Sequence, residues 1–312
     1  MRVLVTGGAG FIGSHIADAL LARGDDVLVL DDLSSGRAGR LDPQLPVRKA
    51  SITDAAALND EVATFGPELI CHLAAQIDVR ASVDAPAADA GVNILGTVNL
   101  LEAARQAGAR VLFASTGGAL YGRDAPIPSL EDVLPLPESP YGIAKYCAEC
   151  YIGLYNRLHG TRHSVLRLAN VYGPRQDPAG EAGVITIFCA SVLEGREPTI
   201  YGDGTQTRDY VYVGDAVQAF VTAGDSGRPG TWNIGAGDEV SVLDLVDIIA
   251  GVAGREMHPR FGAPRAGELQ RSAVAANRAA SELGWRPATS LAEGVRCVYR
   301  WIEAGAPDRA TC

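Results

Sequence analysis

The stretch Thr6-Gly7-Gly8-Ala9-Gly10-Phe11-Ile12-Gly13 constrains this chain more than any other. It follows the short apolar run Val3-Leu4-Val5, which reads as a buried parallel strand. It precedes residues 11–23, where Phe11, Ile12, Ile16, Ala19 and Leu20 recur at helical spacing. Gly7, Gly10 and Gly13 thus stand as G-x-x-G-x-x-G between a strand and a helix. Glycine permits the tight turn and lets a pyrophosphate approach the amides of a helix N-terminus, where the peptide dipoles favour an anion. A second strand, Val27 to Leu30, ends in Asp31-Asp32, 18 residues after Gly13. A carboxylate there accepts hydrogen bonds from a ribose 2′-hydroxyl and repels a 2′-phosphate, which favours NAD over NADP.

The alternation continues. Residues 68–73 and 111–114 are further strands, and 90–107 and 141–158 read as long helices. Such βαβ units imply an α/β chain, a Rossmann-type doubly wound parallel sheet covered on both faces. After about residue 173, Gly173-Pro174, Gly202-Asp203-Gly204 and Gly235-Ala236-Gly237 interrupt the pattern. Ser241 reads as the N-cap of a helix over 242–253, and Ser290 of one over 291–303. The expected organisation is a dinucleotide-binding domain over 1–173, rejoined by about 209–232. A smaller C-terminal substrate-binding lobe takes 174–208 and 233–312, with a ligand cleft between the two.

Composition narrows the function. The 312 residues are 47% hydrophobic and 21% charged, as in ordinary globular chains. A net charge of −10 disfavours nucleic acid and anionic membrane surfaces as partners, although a few arginines can still hold an anionic small ligand. No apolar run approaches the roughly 18 residues that span a bilayer. Met1-Arg2-Val3 leads straight into the first strand, so no signal peptide is expected. Six scattered cysteines make no disulfide framework, and a reducing cytoplasm is the expected compartment. The five histidines lack metal-ligand spacing, and His72 reads as a core residue. Cys147-x-x-Cys150 lies inside a helix with no second ligand pair nearby, so no metal is expected.

Tyr141-Gly142-Ile143-Ala144-Lys145 carries chemistry. Spacing of four puts Tyr141 and Lys145 on one helix face. A phenol with pKa near 10 is a poor base at neutral pH, and a neighbouring ammonium favours the phenolate. The chain contains only two lysines, Lys49 and Lys145, among 27 basic residues, so the lysine at 145 is informative. Ser115-Thr116 ends the strand at 111–114, where a hydroxyl can reach a reacting oxygen.

With these blocks in place, the chain resembles the extended short-chain dehydrogenase/reductase superfamily, and within it the NAD-dependent nucleotide-sugar 4-epimerases of the UDP-glucose 4-epimerase type. The resemblance rests on TGGAGFIG (6–13), LDDLSSG (30–36), HLAAQ (72–76), STGGALYG (115–122), SPYGIAK (139–145), LRLANVYGPRQ (166–176), YGDGTQTRDYVYV (201–213), WNIGAG (232–237) and ELGWRP (282–287). It implies that Asp31 holds the adenosine ribose, with Asp32, Ser34 and Gly36 beside it. Ser51 and Ile52 would flank the adenine. Leu73, Ala74, Ala75, Gln76, Asn93, Ser115 and Lys145 would line the nicotinamide side. For the substrate it implies Asn170 near the diphosphate, and Val184 and Ile185 at the nucleotide. Thr199 and Tyr201 would sandwich a uracil, and Arg208, Arg265 and Glu268 would hold the diphosphate and uridine ribose. The usual catalytic hydroxyl lies four residues before the tyrosine of the Tyr-Gly pair, where this chain has Gly117. Thr116, five before Tyr121, is taken as that hydroxyl, with Tyr141 as base.

The implied reaction is a transient oxidation at C4 of a UDP-sugar, rotation of the ketosugar and return of the hydride, with UDP-glucose and UDP-galactose first. Dehydratase relatives place an Asp-Glu pair just after the threonine, where Gly117-Gly118 stands here. UDP-glucuronate and UDP-GlcNAc 4-epimerases are alternatives. A small Ser272, seven residues after Arg265, would admit an N-acetyl group. A non-catalytic NAD-binding sensor or scaffold is the reading from a different class. The resemblance also implies a homodimer through the helices at 90–107 and 141–158.

Overall fold

The computed structural model describes residues 1–177, 183–264 and 269–309. Its first half runs β1 (Arg2–Thr6), α1 (Phe11–Ala22), β2 (Asp26–Asp31), β3 (Val47–Lys49), α2 (Ala55–Phe65), β4 (Leu69–His72), α3 (Val79–Asp84), α4 (Pro86–Ala90), α5 (Thr97–Ala107), β5 (Arg110–Thr116), α6 (Pro140–His159) and β6 (Ser164–Leu168). The second half continues with β7 (Asn170–Tyr172), α7 (Val184–Leu193), β8 (Thr199–Tyr201), β9 (Thr207–Arg208), β10 (Tyr210–Tyr212), α8 (Val213–Ser226) and β11 (Gly230–Ile234). It closes with β12 (Val240–Ser241), α9 (Val242–Ala253), β13 (Arg260–Gly262), α10 (Asn277–Glu282) and α11 (Leu291–Glu303).

Among the described residues, seven strands form one parallel sheet in the order β11-β6-β5-β4-β1-β2-β3. Its strands are apolar toward both faces because helices cover both. Val3, Val5 and Val29 join Ile16, Leu20, Phe220 and Trp232 on one side, under α1 and α8. Leu4 and Leu28 join Leu58, Leu100, Leu101 and Ile152 on the other, under α2, α5 and α6. Each such side chain stabilises the fold by roughly 1.5–3 kcal/mol relative to exposure. The strand order reverses between β1 and β4, which opens a crevice at their carboxyl ends.

The second half joins the sheet through α8 and β11, and otherwise packs a separate core. Phe188 and Val192 of α7, Leu245 and Ile249 of α9, and Val295 and Val298 of α11 form it. Two-stranded pairs β7/β10, β8/β13 and β9/β12 connect this core to the cleft. The caps at Ser241 and Ser290 are both reciprocal boxes, closed by Asp244 and Glu293.

The long helix expected at 90–107 is not one α-helix. A π-helical turn, Gly91–Gly96, separates α4 from α5. Leu95 within the turn is exposed, while Leu101 of α5 is fully buried. Cys71, Cys147, Cys150 and Cys189 are free thiols, while Cys297 is disulfide-bonded. Among the described residues, no helix is long and apolar enough to cross a membrane and no His, Cys, Asp and Glu cluster could hold a metal ion.

Candidate active site

A cleft of about 1310 Å³ runs from the glycine turn across the strand ends into the second half. Small-molecule pockets usually measure roughly 300–1,000 Å³, so this one suits two ligands side by side. At one end, backbone builds the wall. Gly7 has φ +69°, and a Cβ there would lie 2.5 Å from the amide nitrogen of Ala74 after β4. A Cβ on Gly13 would lie 2.2 Å from the carbonyl oxygen of Gly7. Gly10 caps α1 without a side-chain hydrogen bond, leaving the first turn to be served by a ligand. Gly10, Phe11 and Ile12 line the cleft beside these glycines. This cradle, free of side chains at a helix N-terminus, fits a dinucleotide pyrophosphate.

Asp31 ends β2 at the same cleft and is nearly buried. Its Oδ2 accepts from Ala9 N at 2.9 Å, and its Oδ1 from Leu33 N at 2.8 Å. Burial pushes its carboxyl up, and these two amides oppose that. Asp32 Oδ1 accepts from Ser34 N and Oγ at 2.9 and 2.6 Å. Asp32, Ser34, Gly36, Ser51, Ile52, Leu73, Ala74, Ala75 and Gln76 all line the cleft. Arg37, Arg40 and Asp177 line it too, and the sequence reading missed them. Arg37 pairs with Asp177 across the opening, a contact between segments 140 residues apart that no motif signals.

Two residues assigned to the nicotinamide side have other partners. Asn93 is buried in the π turn and braces the backbone of Gln76: Oδ1 accepts from its N at 3.0 Å, and Nδ2 donates to its O at 2.8 Å. Ser115 lines the cleft, but its hydroxyl donates to Glu149.

Tyr141, Lys145 and Thr116 all line the cleft. Ser139 caps α6 through Gly142 N and starts the helix at Pro140, which places Tyr141 and Lys145 on its cleft face. Lys145 Nζ donates to Ala114 O at 3.0 Å and lies 5.9 Å from the Tyr141 ring centroid. Burial lowers Lys145 to about 8, against the fields of Asp89 and Glu149. Thr116 Oγ1 accepts from Ala119 N at 3.2 Å, which sets the turn after β5. His72 is a core residue, held by Thr6 at 2.8 Å and Thr97 at 3.1 Å and kept neutral by burial, which lowers it to about 3.

The far end draws on dispersed elements. Asn170, Val184, Ile185, Thr199, Tyr201 and Arg208 all line it. Asn170 Nδ2 donates to Asp209 O at 3.1 Å. Tyr201 is part-exposed, its ring lying over Gly262, where a Cβ would sit 3.3 Å away. Gln206 also lines the cleft and donates to Tyr201 O at 2.8 Å, a residue with no sequence signal of its own. Arg265 and Glu268 lie outside the described residues.

A switch-point crevice with a glycine cradle, an acidic end to β2, and a Tyr-x-x-x-Lys helix facing a strand-end threonine defines an extended short-chain dehydrogenase/reductase. Comparison with known proteins is more specific. Residues 3–235 match the NAD dependent epimerase/dehydratase family, and the chain belongs to that family. It is 50% identical over 302 residues to UDP-glucose 4-epimerase of Mycolicibacterium smegmatis, covering 95% of this chain and 96% of that one. A crystal structure of UDP-glucose 4-epimerase with UDP-glucose from Thermotoga maritima superposes with TM-score 0.96 at 43% identity, covering 98% of this chain and 99% of that one. The Thermus thermophilus UDP-glucose 4-epimerase complex with NAD gives 0.92 at 41% identity, with 97% and 99% covered.

Proposed function

We propose that this protein is an NAD-dependent enzyme that interconverts the C4 epimers of a UDP-sugar, UDP-glucose and UDP-galactose first. That Tyr141, Lys145 and Thr116 line the same cleft as the glycine cradle carries this reading. Bound NAD supplies a hydride acceptor and donor at its nicotinamide. Tyr141 takes the proton from the sugar 4-hydroxyl as C4 is oxidised and returns it after the ketosugar has turned over. The Lys145 ammonium favours the phenolate, and Thr116 orients the reacting oxygen. Arg208, Asn170, Tyr201 and Thr199 hold the nucleotide end while the sugar rotates, and Arg265 and Glu268 are proposed to join them.

Gly117-Gly118, directly after Thr116, bring no acid or base to the cleft, which favours epimerisation over elimination or decarboxylation. One observation favours a second substrate. Ser272 Oγ donates to Gly118 O at 3.4 Å, and the space off Gly118 is open toward Asn170, with nothing nearer than 3.7 Å. Gly118 and Ser272 line a separate small pocket rather than the cleft itself, so the reading of a bulkier sugar, such as that of UDP-GlcNAc, rests on the small size of Ser272.

Exposed apolar residues on α3, α6 and the π turn, namely Val83, Leu95, Ile143, Leu154 and Leu158, support a homodimer through this side. Light scattering of Leu154→Asp/Leu158→Asp against wild type tests it, and an unchanged mass would refute it.

Proton NMR of the purified protein, first without and then with added NAD, tests the activity. UDP-glucose, UDP-glucuronate and UDP-GlcNAc go in separate tubes. Growth of the axial-4-hydroxyl epimer from UDP-glucose supports the reading. Growth only from another tube reassigns the sugar, and silence in all tubes refutes the enzyme and favours a sensor.

A further inference from the structure

Lys145 and Glu149 are one turn apart on the same face of α6, and both reach the end of β5. Lys145 Nζ is held by Ala114 O, and the next hydroxyl, Ser115 Oγ, donates to Glu149 Oε1 at 2.5 Å. Thr116 follows directly. Two consecutive residues of the strand are therefore pinned to consecutive turns of the helix that carries Tyr141. Glu149 is itself clamped by Arg167 of β6, whose Nε donates to both carboxylate oxygens at 3.1 Å and whose Nη2 donates to Oε2 at 2.6 Å. Arg167 Nη1 continues to the Tyr121 hydroxyl at 2.8 Å and to Glu131 O at 3.1 Å. The Tyr121 hydroxyl donates to Asn233 Oδ1 at 2.7 Å. The Arg167 and Glu149 side chains are 7% and 6% exposed. An ion pair so buried is often no more stabilising than apolar residues of the same volume. Its place directly behind the reacting groups gives it another use.

We propose, resting on the epimerase reading, that Glu149 is a positioning residue: it locks Ser115, and with it Thr116, against the helix that carries Tyr141 and Lys145, and keeps a negative charge one turn from the Lys145 ammonium. Glu149 is not among the residues that line the cleft. The groups facing Lys145 are Asp89 from α4, neutral His72 from β4, the Phe113 ring of β5 at 4.7 Å, and Tyr141 and Glu149 from α6. Asp89 and Glu149 are the anions among them. Removing the charge of Glu149 while Arg167 stays makes the Lys145 proton easier to lose.

The test is kcat, KM and pH profile with UDP-glucose for wild type, Glu149→Gln, Ser115→Ala and Glu149→Gln/Arg167→Met. In Glu149→Gln, kcat is expected to fall on the order of 10–100-fold with KM nearly unchanged, and the alkaline limb to move to lower pH. The double variant should return that limb toward wild type while kcat stays low. Because Glu149→Gln leaves Arg167 unpaired in the interior and can unfold the chain, Ser115→Ala is the companion. It keeps the ion pair and removes only the pinned hydroxyl. It should lower kcat with bound NAD and the alkaline limb unchanged. A folded Glu149→Gln with wild-type kcat and pH profile overturns the proposal, as does a Ser115→Ala that keeps wild-type kcat or loses NAD. Inactive wild type in the same assay overturns the epimerase reading and this role together; active wild type matched by the variants overturns this role alone.

Discussion

The two ends of the cleft are made of different material. At the cofactor end, main chain forms the wall: three glycines, the amides of Ala9 and Leu33 around Asp31, and the segment Leu73 to Gln76 braced by Asn93. At the far end, side chains of α7, β8 and β9 form it, outside the large sheet. Backbone walls have no room to vary, since a single Cβ at Gly13 meets a carbonyl. Side-chain walls can be altered in size and charge without moving the sheet. The fixed end suits the cofactor, and the adjustable end can vary its grip on a second ligand.

The largest way to break this contrast is Gly13→Val, which forces the turn off the helix. Bound NAD, read by the absorbance of released nucleotide, should vanish with all turnover. Tyr141→Phe comes next: kcat should drop on the order of 10³-fold while NAD content stays at the wild-type level. A variant that keeps its rate would remove Tyr141 as the base. Arg208→Met should act on the other end alone, raising KM for the UDP-sugar roughly 10–100-fold with a smaller change in kcat, because it removes a charge-assisted contact. Loss of NAD in this variant would contradict the separation of the two ends.

A pH titration sharpens the picture further. Lys145 is charged below about 8 in the fold, so kcat should fall as pH rises through that value. Its folded pKa lies below the ordinary 10.5, so the unfolded chain binds more protons between the two values. This group therefore lets stability rise with pH across that window, while activity declines. A Lys145→Met variant should lose both trends in thermal melts and rates. The smallest effect is on selectivity: Ser272→Tyr should remove any UDP-GlcNAc turnover and leave UDP-glucose turnover within a few-fold. Equal loss of both would show that Ser272 does not set sugar size.

Sequence alone reached the parallel sheet, the glycine turn, the acid at the end of β2, the Tyr141–Lys145 face and the caps at Ser241 and Ser290. All of these are local: each depends on spacing within a few residues, and its physical cause, a φ value, a helix period or a capping hydroxyl, travels with the segment. The π turn at Gly91–Gly96 was not legible, because its backbone bonds differ from an α-helix by one residue while the composition does not. The pairing of the Ser115 hydroxyl with Glu149 depends on how β5 and α6 pack. Arg37 with Asp177, Arg167 with Glu149 and Gln206 against Tyr201 likewise join segments that only folding brings together. The sequence determined which chemistry the chain carries, because reactive groups and tight turns are written in contiguous motifs. Tertiary structure decided how those groups are aimed and braced, because buried hydrogen bonds and ion pairs find their partners across the chain.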